Sequence, residues 1–102
     1  MIDLNGLSKV TLENAEKRNA NGANIKTDTY HMIKHMATEV VECEEARHNK
    51  TIGGMEHFAS ELADVICCCL IIAGKENLDI EKAITDCIEK NRLRAEGKGD
   101  KA

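Results

Sequence analysis

The sequence predicts an all-α protein, a single bundle-like domain of four helices that is completed by oligomerisation. The chain of 102 residues contains no proline and no tryptophan, one phenylalanine and one tyrosine. Strands are enriched in aromatic residues, so this composition disfavours a sandwich or barrel. Apolar residues recur at helical spacing in four stretches, which short polar breaks separate. Together these observations favour a helical bundle with a core of aliphatic residues, methionine and cysteine.

The four predicted helices follow one another closely along the chain. They cover residues 4–18, 29–48, 55–73, and 77 or 79 to 96. Thr27 or Asp28 caps the second helix, and Asn77 or Asp79 opens the fourth. Gly74 is predicted to end the third helix in the left-handed conformation. Short connections make neighbouring helices antiparallel, so the second and third helices should lie side by side.

Size and charge limit the partners that this chain is expected to have. Residues 1–96 form the predicted domain, and residues 97–102 form a tail that we expect to be disordered. A core this small is marginal on its own, so we expect a homodimer or homotetramer. The net charge of −4, with no basic stripe, argues against binding of duplex nucleic acid.

The cysteines and the N-terminal segment predict a cytoplasmic protein. The five cysteines are odd in number, and three of them are consecutive within an apolar run. This arrangement favours free, buried thiols over disulfides or a zinc site. The N-terminus lacks the pattern of a signal peptide, and we expect no segment long enough to span a bilayer.

Two pairs of acidic residues stand out, one on the second predicted helix and one on the third. Glu39 and Glu42 are spaced i, i+3, as are Glu61 and Asp64, so each pair shares one face of its helix. Such a pair is ordinary on a solvated surface. The apolar run 65–73 follows Asp64 directly, however, and predicts that the third helix is buried all round.

Buried carboxylates require a cation. His57 is the one basic residue between positions 55 and 74, so the partner of Glu61 and Asp64 must come from elsewhere. Two antiparallel helices would present all four carboxylates to a common point. Such an oxygen-rich site suits Mg²⁺, with Mn²⁺ as the alternative, and these ions also bind phosphate oxygens.

The fourth helix and His35 supply candidate substrate-binding residues. The apolar stripe of the fourth helix continues into Asn91 and Arg94, with Lys90 nearby, which suggests a core that opens onto a pocket. Cations that complement the helix dipole at a fraying end give the same pattern. His35 precedes Glu39 by one turn and either contacts substrate or is simply solvated.

The order of these motifs resembles the MazG-type, all-α nucleoside triphosphate pyrophosphohydrolases. The ExxE of the second helix is followed, after a gap, by the ExxD of the third, as in that family. Similar segments lie in the same order at residues 38–42, 60–66, 79–83 and 90–92. Two positions depart from the family pattern. Thr38 stands where an acid is frequent, and Cys87 where a lysine often assists phosphate binding.

The resemblance implies an enzyme that hydrolyses a nucleoside triphosphate to the monophosphate and pyrophosphate. Glu39, Glu42, Glu61 and Asp64 would hold the metal, and either Glu39 or Glu42 would accept a proton from the attacking water. Lys90, Asn91 and Arg94 would bind phosphate oxygens. The roles implied are control of the nucleotide pool or removal of unwanted nucleotides.

Two other interpretations compete with the hydrolase. Glu45 and His48 have the Glu-x-x-His spacing of carboxylate-bridged di-iron bundles, but such sites require that motif on two helices. The substituted Cys87 keeps open a non-catalytic dimerisation or regulatory module that retains the fold without turnover. Magnesium-dependent release of pyrophosphate distinguishes the hydrolase from this module.

Overall fold

The apolar spacing of the chain produces four α-helices, which are α1 (Leu4–Ala20), α2 (Thr29–His48), α3 (Gly54–Lys75) and α4 (Ile80–Ala95). The computed structural model describes residues 2–48 and 54–98, and these residues contain no β-strand. The all-α prediction is therefore confirmed, as is the number of helices in the described part of the chain. α1 and α3 each extend two residues beyond their predicted ends.

Aspartate side chains cap the N-termini of α2 and α4. The Asp28 carboxylate accepts a hydrogen bond from the backbone N–H of His31 at 3.2 Å, and Asp79 accepts one from Lys82 at 3.1 Å. Each carboxylate thereby satisfies an amide that has no partner within its helix. Of the alternatives that the sequence offered at each position, the structure selects Asp28 and Asp79.

The end of α3 corrects the prediction made for Gly74. The helix continues through Gly74, and Asn77 instead takes the left-handed conformation, with φ of 55°. The N–H of Leu78 donates to the carbonyl of Ala73 at 2.9 Å, and the N–H of Asn77 donates to Gly74 at 3.3 Å. This pattern is a Schellman motif. Asparagine tolerates the left-handed conformation better than most residues, so it can stand where glycine was expected.

Gly74 has a packing role, because α1 crosses α3 closely at this position. A Cβ atom on Gly74 would lie 3.0 Å from the backbone oxygen of Ser8. Ser8 is itself 2% exposed, and its hydroxyl donates a hydrogen bond of 2.5 Å to the carbonyl of Leu70. The small side chains therefore let α1 approach α3, and the hydrogen bond satisfies the buried serine hydroxyl.

α2 and α3 lie side by side and antiparallel, as predicted. The hydroxyl of Thr29, at the start of α2, hydrogen-bonds to the carboxylate of Glu76, just beyond the end of α3. Further along, the sulfur atoms of Met36 and Cys69 are 3.4 Å apart. Residue numbers thus rise along α2 as they fall along α3, and this register brings the acidic pair of one helix beside that of the other.

α4 packs on α1, and polar contacts join the N-termini of the two helices. The side-chain amide of Asn5 donates to the Asp79 carboxylate at 2.9 Å, and its oxygen accepts from the N–H of Glu81 at 3.1 Å. The Glu81 carboxylate in turn accepts from the N–H of Leu4 at 3.1 Å. The hydrogen bonds from Asn5 and Lys82 lower the pKa of Asp79. These contacts hold the start of α4 against α1.

The small core lies where α3 meets α1 and α2. Its buried apolar residues are Ala15, Met32, Cys43, Ala46, Cys68, Leu70 and Ala73. The expectation that α3 is buried all round is wrong for a single chain, since Ile66 is 58% exposed. Cys67, Cys69 and Cys87 are exposed as well, so only Cys43 and Cys68 are the buried free thiols that we expected. The residues of α3 are exposed because α4 packs on α1. The side of α3 that faces neither α1 nor α2 is therefore left uncovered.

α3 also corrects the expectation that no segment is long enough to cross a bilayer. Its 22 residues include a window with a mean hydropathy of 1.6, which meets the requirement for a membrane span by length and composition. The mostly buried core helix of a soluble protein passes the same test, whereas 17% of this window is buried in the single chain. Here α3 packs between α1 and α2, with Glu61 and Asp64 near its middle.

The predicted tail falls partly within the described part of the chain. Gly97 and Lys98 complete the end of α4, where the N–H of Lys98 donates to the carbonyl of Leu93 at 2.7 Å. These two residues are therefore part of the helix cap and do not belong to a disordered tail. Residues 99–102 lie outside the described residues, as does the predicted break at 49–54 except for Gly54, which begins α3.

Candidate metal centre and adjoining cleft

Three carboxylates from two helices converge at the candidate metal centre. α2 supplies Glu39, and α3 supplies Glu61 and Asp64 from successive turns of one face. One oxygen from each residue can be chosen so that all three lie within 4.8 Å of one another. The antiparallel register of α2 and α3 produces this convergence, because each acidic pair sits near the middle of its helix.

Two of the three carboxylates are largely buried. The side chains of Glu39 and Glu61 are 12% and 15% exposed, whereas Asp64 is exposed. Among the described residues, the Oε2 atoms of Glu39 and Glu61 are buried without any hydrogen-bond partner. A buried, unsatisfied carboxylate oxygen is costly. The donor set of three convergent carboxylates therefore fits a hard divalent cation.

Histidines contact the other oxygen of each buried carboxylate. Nε2 of His35 lies 3.0 Å from Oε1 of Glu39, and Nε2 of His57 lies 3.6 Å from Oε1 of Glu61. Each histidine is one helical turn from its acid and is itself about half exposed. The histidines therefore lie against the carboxylates from the solvent side, whereas the Oε2 atoms are buried.

The pKa of Glu39 reflects its burial and its charged neighbours. Burial raises the pKa of Glu39, and the carboxyl group of the neighbouring Glu42 raises it further, while the nearby His35 opposes both effects. Glu42, the fourth predicted ligand, is exposed and does not belong to the convergent triad. The structure thus places Glu42 next to Glu39 at the edge of the site.

Buried thiols lie close to the carboxylates. Burial raises the pKa of Cys68 to about 11, and the charge of Glu39 contributes to this shift. Burial also raises the pKa of Cys43, with smaller contributions from Glu61 and Glu39. Both cysteines therefore stay protonated and uncharged at neutral pH, and they lie beneath the acidic triad.

A cleft of about 670 Å³ adjoins the triad and includes Glu39 and Asp64 in its wall. This volume is in the range of pockets for small ligands and cofactors. α1, α2, α3 and the connector between α1 and α2 all contribute to it. Its other lining residues are Ala15, Arg18, Asn24, Ile25, Lys26, His31, Met32, His35, Cys67, Cys68 and Ile71. The cleft is thus acidic at the triad, basic along the connector and apolar between them.

The connector is fixed to the end of α1. The side-chain amide of Asn19 donates to the carbonyl of Ile25 at 2.5 Å, and the N–H of Ile25 donates back to the Asn19 side-chain oxygen. Asn24 adopts a left-handed conformation with φ of 53°, which turns the chain back towards α1. These contacts place Ile25 and Lys26 at the wall of the cleft.

The sequence-predicted substrate residues divide into two groups. His35 lines the cleft and contacts the triad through Glu39. Lys90, Asn91 and Arg94 are exposed on α4 and are absent from the cleft lining within the described residues. The structure of one chain therefore does not bring these three to the carboxylates, and their role stays a prediction.

Sequence reasoning missed the basic residues of the cleft, Arg18 and Lys26. Both lie around the break between α1 and α2, and neither belongs to a motif with fixed spacing. The one available signal was the turn-prone segment 19–22, which predicts that the chain reverses there. A reversal next to an acidic helix would bring flanking cations close to the site.

The pair proposed for a di-iron site does not join the triad. Glu45 and His48 are both exposed, and His48 instead lies 4.0 Å from Glu44. Neither residue belongs to the convergent acidic cluster found within the described residues. The described helices therefore give no support to the di-iron interpretation.

The comparisons with known proteins do not assign the chain to a family. No family model, curated protein or solved structure matches the chain. The resemblance to the MazG-type pyrophosphohydrolases therefore depends on the order and spacing of the acidic motifs.

Proposed function

We propose that this protein is a magnesium-dependent nucleoside triphosphate pyrophosphohydrolase of the MazG type. The observation that carries this proposal is the convergence of Glu39, Glu61 and Asp64, with two buried carboxylate oxygens left unsatisfied. The resemblance of the motifs to that family supports the choice of a nucleotide as substrate.

The triad residues are the proposed metal ligands. A bound Mg²⁺ ion would neutralise charge on the polyphosphate and acidify a water molecule, and Mn²⁺ would be the alternative ion. Glu39 and Glu61 each offer a buried Oε2 atom, and Asp64 offers its carboxylate from the side of the cleft. His35 and His57 would hold the two glutamates in place through their Oε1 atoms.

Glu42 is the proposed general base. It is exposed beside Glu39 and lies outside the convergent triad, a position from which its carboxylate could accept a proton from water. Attack of that water on the α- or β-phosphorus would break the bridging P–O bond between these two phosphates and release the monophosphate and pyrophosphate, while the proton of the water passes to Glu42. In this proposal Glu39 serves as ligand and Glu42 as base, which is one of the two roles that the sequence left open.

Oligomerisation is part of the proposal, as is a cytoplasmic location. The single chain exposes large apolar side chains on several helices, including Ile33 and Val40 on α2, Ile66 on α3 and Ile88 on α4. Extensive exposed apolar surface marks interfaces. We propose that a homodimer or homotetramer covers it, and light scattering coupled to size exclusion would measure the mass directly. A monomer at all concentrations would contradict this part of the proposal.

The function is tested by incubating the purified protein with each common NTP and dNTP in the presence of Mg²⁺. The expected products are the nucleoside monophosphate and pyrophosphate in equal amounts, from at least one nucleotide. Release of orthophosphate in place of pyrophosphate would exclude cleavage between the α- and β-phosphates. Release of neither product from any nucleotide would instead favour the non-catalytic dimerisation or regulatory module.

A further inference from the structure

The acidic triad alone cannot hold a nucleoside triphosphate, because the charges are unfavourable. Three carboxylates converge at the site, and the polyphosphate of a nucleotide is itself strongly anionic. A single divalent ion leaves this combination with excess negative charge. The phosphates therefore require protein cations that lie in the cleft but outside the triad.

Arg18 and Lys26 meet this requirement. Arg18 is in the last turns of α1, Lys26 is in the connector to α2, and both line the cleft that contains Glu39 and Asp64. Across residues 2–48 and 54–98, neither cation has a carboxylate within salt-bridge distance. Their charges are thus available to a ligand.

Cations on α4 provide a contrast within the same chain. Nζ of Lys82 lies 2.6 Å from the Asp86 carboxylate, and Arg92 is 2.7 Å from that of Glu89. These contacts partly neutralise α4, and none of its cations lines the cleft within the described residues. An anion bound in the cleft therefore lies among Arg18 and Lys26.

The backbone next to Lys26 is held in place by contacts within the chain. The two hydrogen bonds between the Asn19 side chain and the backbone of Ile25 tie the connector to α1 next to Lys26. Arg18 precedes Asn19 directly, so the same contacts relate both cations to one short, ordered segment. Ordering of this kind reduces the entropy lost on binding.

We infer that Arg18 and Lys26 are the polyphosphate-binding cations of this cleft, in place of the predicted Lys90, Asn91 and Arg94. The inference rests on the proposed function for its choice of ligand, and it adds the residues that recognise the phosphates. Arg18 would bind phosphate oxygens through its planar, forked guanidinium, and Lys26 would act as a compact point charge.

Calorimetric titration with inorganic triphosphate and Mg²⁺ tests this inference without reference to the base. Arg18→Ala and Lys26→Ala should each weaken binding by roughly tenfold or more, since each removes a charge-assisted contact. Lys90→Ala combined with Arg94→Ala is the matched control and should bind within about twofold of the wild type. Thermal unfolding of every variant would verify that the fold is intact.

The results separate this inference from the proposed function. Unchanged affinity in both the Arg18→Ala and Lys26→Ala variants would overturn the inference, as would no binding of triphosphate by the wild type. A loss of affinity only in the α4 control would also overturn it. If the predicted losses occur but no nucleotide releases pyrophosphate, the phosphate-binding residues stand and the hydrolase proposal fails.

Discussion

The Nε2 atom of His35 lies 3.0 Å from Oε1 of Glu39, one helical turn further along α2. The second oxygen of that carboxylate, Oε2, is buried and has no hydrogen-bond partner among the described residues. Glu39 therefore uses one oxygen for a local contact and leaves the other unsatisfied, as a ligand of the proposed cation would. This difference between the two oxygens predicts how the stability of the protein depends on pH, on added Mg²⁺ and on substitution of the triad residues.

In the presence of a chelator that removes metal, Glu39→Gln should become more stable relative to the wild type as pH rises, as judged by the free energy of unfolding. Burial and the neighbouring Glu42 raise the pKa of Glu39 above its usual value of 4.5. The stability that protonated Glu39 contributes is therefore complete below that value and is lost as pH rises through the raised pKa. Urea unfolding at about pH 4 and about pH 7 measures the difference between the two proteins.

The control for this experiment is Glu16→Gln, on the exposed surface of α1. The difference in the free energy of unfolding between Glu16→Gln and the wild type should change little between the two pH values. The corresponding difference for Glu39→Gln should change more. If Glu39→Gln becomes steadily less stable than the wild type as pH rises, ionised Glu39 has a stabilising cationic partner and the metal assignment loses its physical basis.

Magnesium should stabilise the wild-type protein against unfolding. An ion present at 100 times its dissociation constant adds about 2.7 kcal/mol to the free energy of unfolding, because it binds the folded state alone. Glu61→Gln and Asp64→Asn should lose most of this gain, whereas the exposed Asp86→Asn on α4 should retain it. Equal stabilisation of all four proteins in a thermal melt would place the bound ion elsewhere.

Valine at position 74 should destabilise the fold by about 1–3 kcal/mol, the usual cost of overpacking. A Cβ atom there would already lie 3.0 Å from the backbone oxygen of Ser8, and the two further methyl groups have no room without moving α1. Ala63→Val, at an exposed position of the same helix, is the control. If urea unfolding gives the same loss of stability for both variants, α1 and α3 do not pack closely here.

Adjacent cysteines on α3 should differ in their reactivity towards iodoacetamide. Cys67 is exposed and lines the cleft, whereas Cys68 is buried and its pKa is about 11. Labelling at neutral pH should therefore modify Cys67 and spare Cys68. Triphosphate with Mg²⁺ should slow labelling of Cys67, as peptide mass spectrometry would detect. Rapid modification of Cys68 in the folded protein would contradict its burial.

Most of the fold could be predicted from the sequence because helical periodicity and aspartate caps are local signals. Asp28 and Asp79 begin their helices where a cap was expected. The error at Gly74 arose because a glycine after an apolar run suits either a helix end or a close helix crossing. Only the position of Ser8 on α1, which no local pattern reveals, distinguishes the two.

The candidate site was predictable to the extent that it depends on spacing within a helix. The i, i+3 pairs and the antiparallel arrangement bring Glu39, Glu61 and Asp64 together, but the expected fourth ligand, Glu42, lies outside this group. Arg18 and Lys26 escaped prediction because neither belongs to a spaced motif: Arg18 is in the last turn of α1, and Lys26 is in a connector with no periodicity of its own. The sequence also overstated the burial of α3, since an apolar helix predicts a covering surface but does not say which chain supplies it.

Pyrophosphate release in the presence and absence of Mg²⁺ tests the central claim most directly, using the nucleotide that the wild type hydrolyses fastest. The account predicts magnesium-dependent turnover by the wild type and by Asp86→Asn. Glu61→Gln and Asp64→Asn should each lose at least about 100-fold in rate, with helical content unchanged by circular dichroism. Turnover at the wild-type rate by both triad variants would contradict the assignment of Glu61 and Asp64 as metal ligands.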